Sequence, residues 1–316
     1  MDYSSARSFT MTLAHRAVGD IRRGGFRQLR NYVDLCAMLA HKPRQKRFFE
    51  FAQTALERTD SCYYSLIQRL LDTVDEDRIC TVGVNTAFSG MIYGAAQQVQ
   101  CAQKTGCEAA LVTAARCGDP KLVRAVEQAQ AQYRYIWVLD GAAMHDPAKA
   151  APAAAAFPES VFAILADPVD LDAGTVRALA ACENVVVLPL LQGPEVTAEV
   201  SAAVRLLVRN RMFYGLAVLV GEKDVETALG PDWLGCLAQE TLFCLYARRP
   251  GMSNTASRHL YRGVVDSRIE TGMPVLLLDW DQDVKTIGRA LYSGEAFMRI
   301  ASLLEDGEEF PLRIRD

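Results

Sequence analysis

From about residue 106 onward, short uninterrupted apolar runs alternate with amphipathic segments, and this alternation limits the possible folds more than any other feature. The runs are EAALVTAA, YRYIWVLDG, SVFAILADP, NVVVLPLLQG, FYGLAVLVGEK, TLFCLYARRPG and PVLLLDWDQD; the spacers include PKLVRAVEQAQAQ, LDAGTVRALAAC and EVTAEVSAAVRLLVRN. A strand with one wet face alternates apolar and polar residues. Continuous Val, Ile and Leu instead means that both faces are covered, as in a parallel sheet flanked by helices. Seven such runs predict an α/β fold, a partial or closed (β/α) TIM-like barrel.

Upstream the period is helical throughout. FRQLRNYVDLCAMLA, QKRFFEFAQTALE, SCYYSLIQRLLDTV and the segment from Asp75 to Cys101 form an all-helical N-terminal region. Asp60 or Ser61 is placed to cap the third, and Asp75-Glu76-Asp77 puts negative charge at the positive end of the fourth. Gly83, Gly90 and Gly94 lie inside that last segment. Each costs about 1 kcal/mol relative to Ala in a helix, so they predict close backbone approach, a break near Asn85, or both. The Ala/Pro-rich stretch 142–158 reads as a loop with a short helical piece. The expected organisation is a helical region over 1–105, a barrel over 106–284 and a tail over 285–316.

With 316 residues, 50% apolar, and a net charge of −4, the chain has the material for a sizeable core. Pro, Glu, Asp or Arg interrupts every apolar stretch before about 18 residues, and MDYSSARSFT lacks the apolar core of a secretory signal. The expected location is cytoplasmic, with no membrane partner. Nine cysteines, at 36, 62, 80, 101, 107, 117, 182, 236 and 244, fall mostly inside apolar patterns and read as buried free thiols. Residues 1–50 carry ten Lys/Arg against four acids. Their helical spacing reads as a solvated face, and nucleic acid is an unfavoured partner.

In such barrels the working groups stand at the C-terminal ends of the strands. Read off in order, the candidates are Cys117 and Asp119, Asp140 and Gly141, Asp167, Gln192, Glu222, Arg248 and Asp279. So many carboxylates suit a divalent cation; the competing role, capping the next helix or closing an Asx turn, fits the CGDP and ADP contexts better. Asp279 to Asp283 begins like a calcium loop, but Val284 and Ala290 stand where that loop needs Gly and Glu. No P-loop, G-x-S-x-G or H-E-x-x-H occurs, and no metal is expected. His145, in the loop after the second strand, reads as a solvated side chain.

The stretch FYGLAVLVGEKDVETALGPDWLGCLAQETLFCLYARRPGMS, then a helix and PVLLLDWDQD, resembles the second half of radical SAM enzymes of the auxiliary-cluster type. SCYYSLIQRLLDTVDEDR and the Gly/Asn-containing helix after it are similar to the helical extension ahead of the barrel in some of them. The resemblance lies in segment order and character over most of the chain. It implies a C-x3-C-x2-C loop after the first strand holding a [4Fe–4S] cluster, and a Gly-Gly-Glu-Pro turn after the second. Here the first is ARCGDPKL, with Cys117 alone, and the second is LDGAAM, with Gly141. GRALYSGEAFMRIASLLEDGEEFPLRIRD contains no cysteine for an auxiliary cluster. One thiolate does not hold a cubane.

No [4Fe–4S] cluster and no radical SAM activity are therefore expected. The first expectation is a degenerate radical-SAM-like barrel, a pseudoenzyme that binds a small molecule, a peptide or a protein partner. The second is an enzyme using Asp119, Asp140, Asp167, Glu222 and Asp279 as a carboxylate or divalent-metal site. The third is an interaction module carried by Arg22, Arg23, Arg44, Lys46 and Arg47.

Overall fold

The computed structural model describes residues 2–39, 43–57, 61–106, 108–143, 145–270, 274–292, 298–300, 310 and 312. Six helices come first: α1 (Tyr3–Gly24), α2 (Phe26–Leu39), α3 (Pro43–Glu57), α4 (Cys62–Thr73), α5 (Glu76–Val84) and α6 (Ala95–Thr105), with a π-helical segment Asn85–Gly94 joining the last two. The strands are β1 (Val112–Arg116), β2 (Ile136–Asp140), β3 (Val161–Ala166), β4 (Val185–Leu191), β5 (Phe213–Tyr214), β6 (Leu216–Val220), β7 (Phe243–Arg248), β8 (Leu276–Asp279) and β9 (Met298–Ile300). Between them run α7 (Leu122–Ala131), α8 (Ala151–Ala156), α9 (Ala173–Ala180), α10 (Ala198–Arg209), α11 (Val225–Leu229), α12 (Pro231–Glu240), α13 (Asn254–Glu270) and α14 (Trp280–Leu291).

All pairings are parallel, in the order β8-β7-β6-β4-β3-β2-β1-β9, with β5 also on β4. Each βα unit adds its strand beside the last, so the sheet curls as a partial (β/α) barrel, open between β8 and β9 among the described residues. All seven apolar runs became strands, because each is covered twice. Trp137, Leu139, Phe162, Ile164 and Val187 belong to an outer core with the helices; Val138, Leu165, Leu188, Ala217 and Leu245 belong to an inner one. The tail expected after residue 284 supplies β9, which pairs with β1 through Val112↔Met298. In the Ala/Pro-rich stretch, the short helical piece is a 3-10 turn Pro147–Ala150 running into α8.

The N-terminal helices form a floor beneath the N-terminal edge of this sheet. From α5, Arg78 donates to the carbonyls of Cys182 (2.5 Å) and Ala180 (2.6 Å), just ahead of β4. Asn85 donates to those of Pro158 (2.8 Å) and Ser160 (2.9 Å), ahead of β3. Gln98 donates to Tyr133 O at 3.1 Å and accepts from Ala110 N at 2.8 Å, ahead of β2 and β1. Arg69 of α4 reaches the carbonyls of Ala238 and Thr241, ahead of β7. Among the described residues, 76–105 is also a helix long and apolar enough by composition to cross a membrane, which the reading of interrupted apolar stretches did not anticipate. Arg78, Asn85 and Gln98 of this helix are buried. With this edge closed, the free strand ends lie on the opposite side.

Candidate functional site

All nine candidate residues lie at the C-terminal edge of the sheet or one turn beyond it, but they do not converge. Cys117 N donates to Asp140 O at 2.9 Å and so prolongs the β1–β2 ladder. That extra residue turns the Cys117 side chain into the outer core with Leu122, Val126 and Leu139, where it is 0% exposed. Burial pushes its thiol far above the ordinary range, so the sulfur is a neutral packing atom. Asp140, one residue back in phase, stands opposite Arg116 in the register. It is buried, and its Oδ1 accepts from Ala143 N at 3.1 Å. Burial raises its carboxyl, against a weaker opposing pull from Arg116. Gly141 N bonds Leu165 O, and a Cβ there would sit 2.9 Å from that carbonyl and from Pro147, so only Gly fits.

The remaining carboxylates close turns. Asp119 Oδ1 accepts from Lys121 N at 2.7 Å, Asp167 Oδ1 from Val169 N at 3.1 Å and Asp279 Oδ1 from Gln282 N at 2.9 Å. Glu222 accepts from Ser253 Oγ at 2.8 Å across the β6–β7 loops. Gln192 contributes its carbonyl, which accepts from Arg249. His145 is exposed, with Nδ1 3.0 Å from Asp170. Among the described residues no three His, Cys, Asp or Glu side chains are grouped to hold a metal ion.

Two candidates do meet, Arg248 and Asp279, together with Asp281, which stands two residues past the end of β8, and Lys285, which strand-end reasoning left out. Arg248 donates to Asp279 at 2.7 Å and to Asp281 at 3.0 Å, and Lys285 lies 3.3 Å from Asp281. Side-chain exposure is 7% for Arg248, 0% for Asp279, 5% for Asp281 and 10% for Lys285. Burial raises the Asp279 carboxyl, with Arg248 pulling the other way. Charges so desolvated persist only when matched, and two cations face two carboxylates here. The readable signal was the helical Asp281–Lys285 spacing in α14, an i, i+4 pair.

Beside this quartet opens a cleft of about 610 Å³ between α13 and the start of α14, walled by Arg248, Asn254, Ser257, Arg258, Tyr261 and Arg262, with Gln282 opposite. The α13 residues recur at spacings of three and four, which sets them on one helix face. Arg248 Nε, buried, has no hydrogen-bond partner among the described residues.

The cluster implied by the resemblance does not fit the described cysteines. Cys117 is packed away at the C-terminal edge, while Cys101 lies on α6 beneath the opposite edge. The length of β1 separates the two edges, roughly 15 Å at ~3.3 Å per residue. Cys107 lies outside the described residues.

No family model and no curated protein matches this chain. Among solved structures it is similar to SuiB from Streptococcus suis, with a TM-score of 0.41 and 12% identity over 59% of this chain. The match covers 53% of that protein, so the chain spans about half its length.

Proposed function

We propose that this chain is a ligand-binding or partner-binding scaffold that has lost the means for radical SAM chemistry. One observation carries the reading: the protein's own chain covers the concave face, where a barrel of this kind would receive a cofactor. Trp280 and Val284 of α14 share the inner core with Val138, Leu188 and Leu245, as do Phe310 and Leu312. Trp280 Nε1 donates to Leu312 O at 3.0 Å. The turn of the Cys117 side chain into the outer core supports the same reading. Binding is then left to the cleft at the β7–β8 end of the edge.

The alternative, a carboxylate enzyme, draws on Asp140 and Asp279, both buried with raised carboxyls. They stand at β2 and β8, far apart in the strand order, and each already accepts a backbone N–H. The basic N-terminal module ranks last: Arg22 pairs with Glu76 at 2.7 Å and Arg23 with Asp20 at 2.8 Å. Lys46 is exposed, and Arg44 and Arg47 belong to α3.

Anaerobic purification followed by iron and sulfide reconstitution tests the reading. The expected result is no stoichiometric iron or sulfide and no cleavage of S-adenosylmethionine. A full cluster per chain would overturn it.

A further inference from the structure

We propose that the cleft between α13 and α14 binds a small organic phosphate, its phosphate group held by the Arg248, Arg258 and Arg262 guanidinium groups. This deepens the binding reading above and rests on it. Three arginines line one concavity of about 610 Å³, a volume in the range of small-molecule sites. Arg248 is already matched inside the buried quartet, so the net positive charge of the cleft comes from Arg258 and Arg262 against Asp266. Asp279 and Asp281 lie behind Arg248, matched by Arg248 and Lys285, which leaves Asp266 as the acid lining the cleft.

Arg248 is fixed from behind. Its two Nη atoms are each bonded to a carboxylate, which sets the plane of the guanidinium, and its Nε has no acceptor among the described residues. Arg7 and Arg78 hold a buried Nε of the same kind, and Arg248 differs from them in lining this cleft. Arg248 lines this cleft, so a phosphate oxygen entering it meets that guanidinium. Arg258 and Arg262 are exposed and one helical turn apart on α13, and Arg258 Nε donates to Asn254 O at 3.3 Å, which orients it. Guanidinium forks suit phosphate because they donate two parallel bonds. Inorganic phosphate alone would leave most of the cleft unfilled, whereas an ester would lay its organic part over Tyr261 and Val265.

Calorimetric titration of the full chain with inorganic phosphate, ribose 5-phosphate, glycerol 3-phosphate and AMP tests this. The expected result is saturable binding of phosphate, with at least one ester bound about tenfold more tightly. Losing two charge-assisted contacts in the double variant Arg258→Ala/Arg262→Ala should weaken every probe by about tenfold or more. Both side chains are exposed, so the variant should keep the wild-type circular dichroism. Arg205→Ala/Arg209→Ala, on exposed positions of α10, should change nothing. No saturation, no ester tighter than phosphate, or equal losses in both double variants would overturn the proposal. Failure here without a reconstituted cluster sinks the phosphate site alone; a reconstituted cluster sinks the scaffold reading whatever phosphate does.

Discussion

Asp140 shows how a residue read as functional is governed by its surroundings. Its carboxyl is buried at the end of β2 and held above its ordinary value of 3.8 by desolvation, with Arg116 offsetting part of the cost. A carboxyl raised in the folded state binds its proton more tightly there than in the unfolded chain. It therefore penalises folding once ionised, and the penalty vanishes below the unfolded value. Asp140→Asn keeps an oxygen for Ala143 N and removes the ionisation. Wild-type stability should fall relative to Asp140→Asn as pH rises from about 4 to 7, measured by urea unfolding at each pH. A flat difference would mean that Asp140 is solvated or fully compensated. Chain position named Cys117 and Asp140 equally well; what separated them was the strand alternation, which sends one into the outer core and the other to the inner face.

At the scale of elements, the seven long runs were legible because each carries an unbroken apolar signal that solvent contact would have interrupted. β5 and β9, of two and three residues, are too short to carry a period, and their pairing is fixed by neighbours. The glycines between Asp75 and Cys101 pointed to a break near Asn85 or to close approach; the helix runs on past Asn85 with a change to π-helical winding, and the close approach occurs. The π-helical segment starts at Asn85, and a Cβ on Gly94 would lie 2.6 Å from the carbonyl oxygens of Ser89 and Tyr133. Gly94→Ala should therefore cost about 2 kcal/mol or more, since backbone on both sides has to move. Gly83, with nothing within 4 Å of its would-be Cβ, gives the contrast: Gly83→Ala should gain up to about 1 kcal/mol of helix propensity. Thermal unfolding of the two variants checks the pair, and similar behaviour would mean that the close approach to Tyr133 is absent.

For the whole molecule, the N-terminal helices close one edge of the partial barrel, and Trp280, Val284, Phe310 and Leu312 pack on its concave face. Phe310, 2% exposed, shares the inner core with Leu312 and Trp280. Phe310→Ala should destabilise by about 3 kcal/mol or more and increase binding of a hydrophobic dye as the inner sheet face is uncovered. Val169→Ala, at a 64% exposed position, should stay within about 0.5 kcal/mol. Loss of stability without added dye binding would place Phe310 in packing that does not cover the sheet.

The amino-acid sequence by itself determined the parallel sheet, the helical start and the class of side chain at each strand end, because periodicity and turn chemistry are local properties that a linear chain displays. Only the tertiary structure decided that the helices form a floor, that Arg248, Asp279, Asp281 and Lys285 share one buried site, and that α13 and α14 enclose a cationic cleft. Those facts join residues tens of positions apart. Proximity at that range follows from how the layers pack, and no local pattern of residues encodes it.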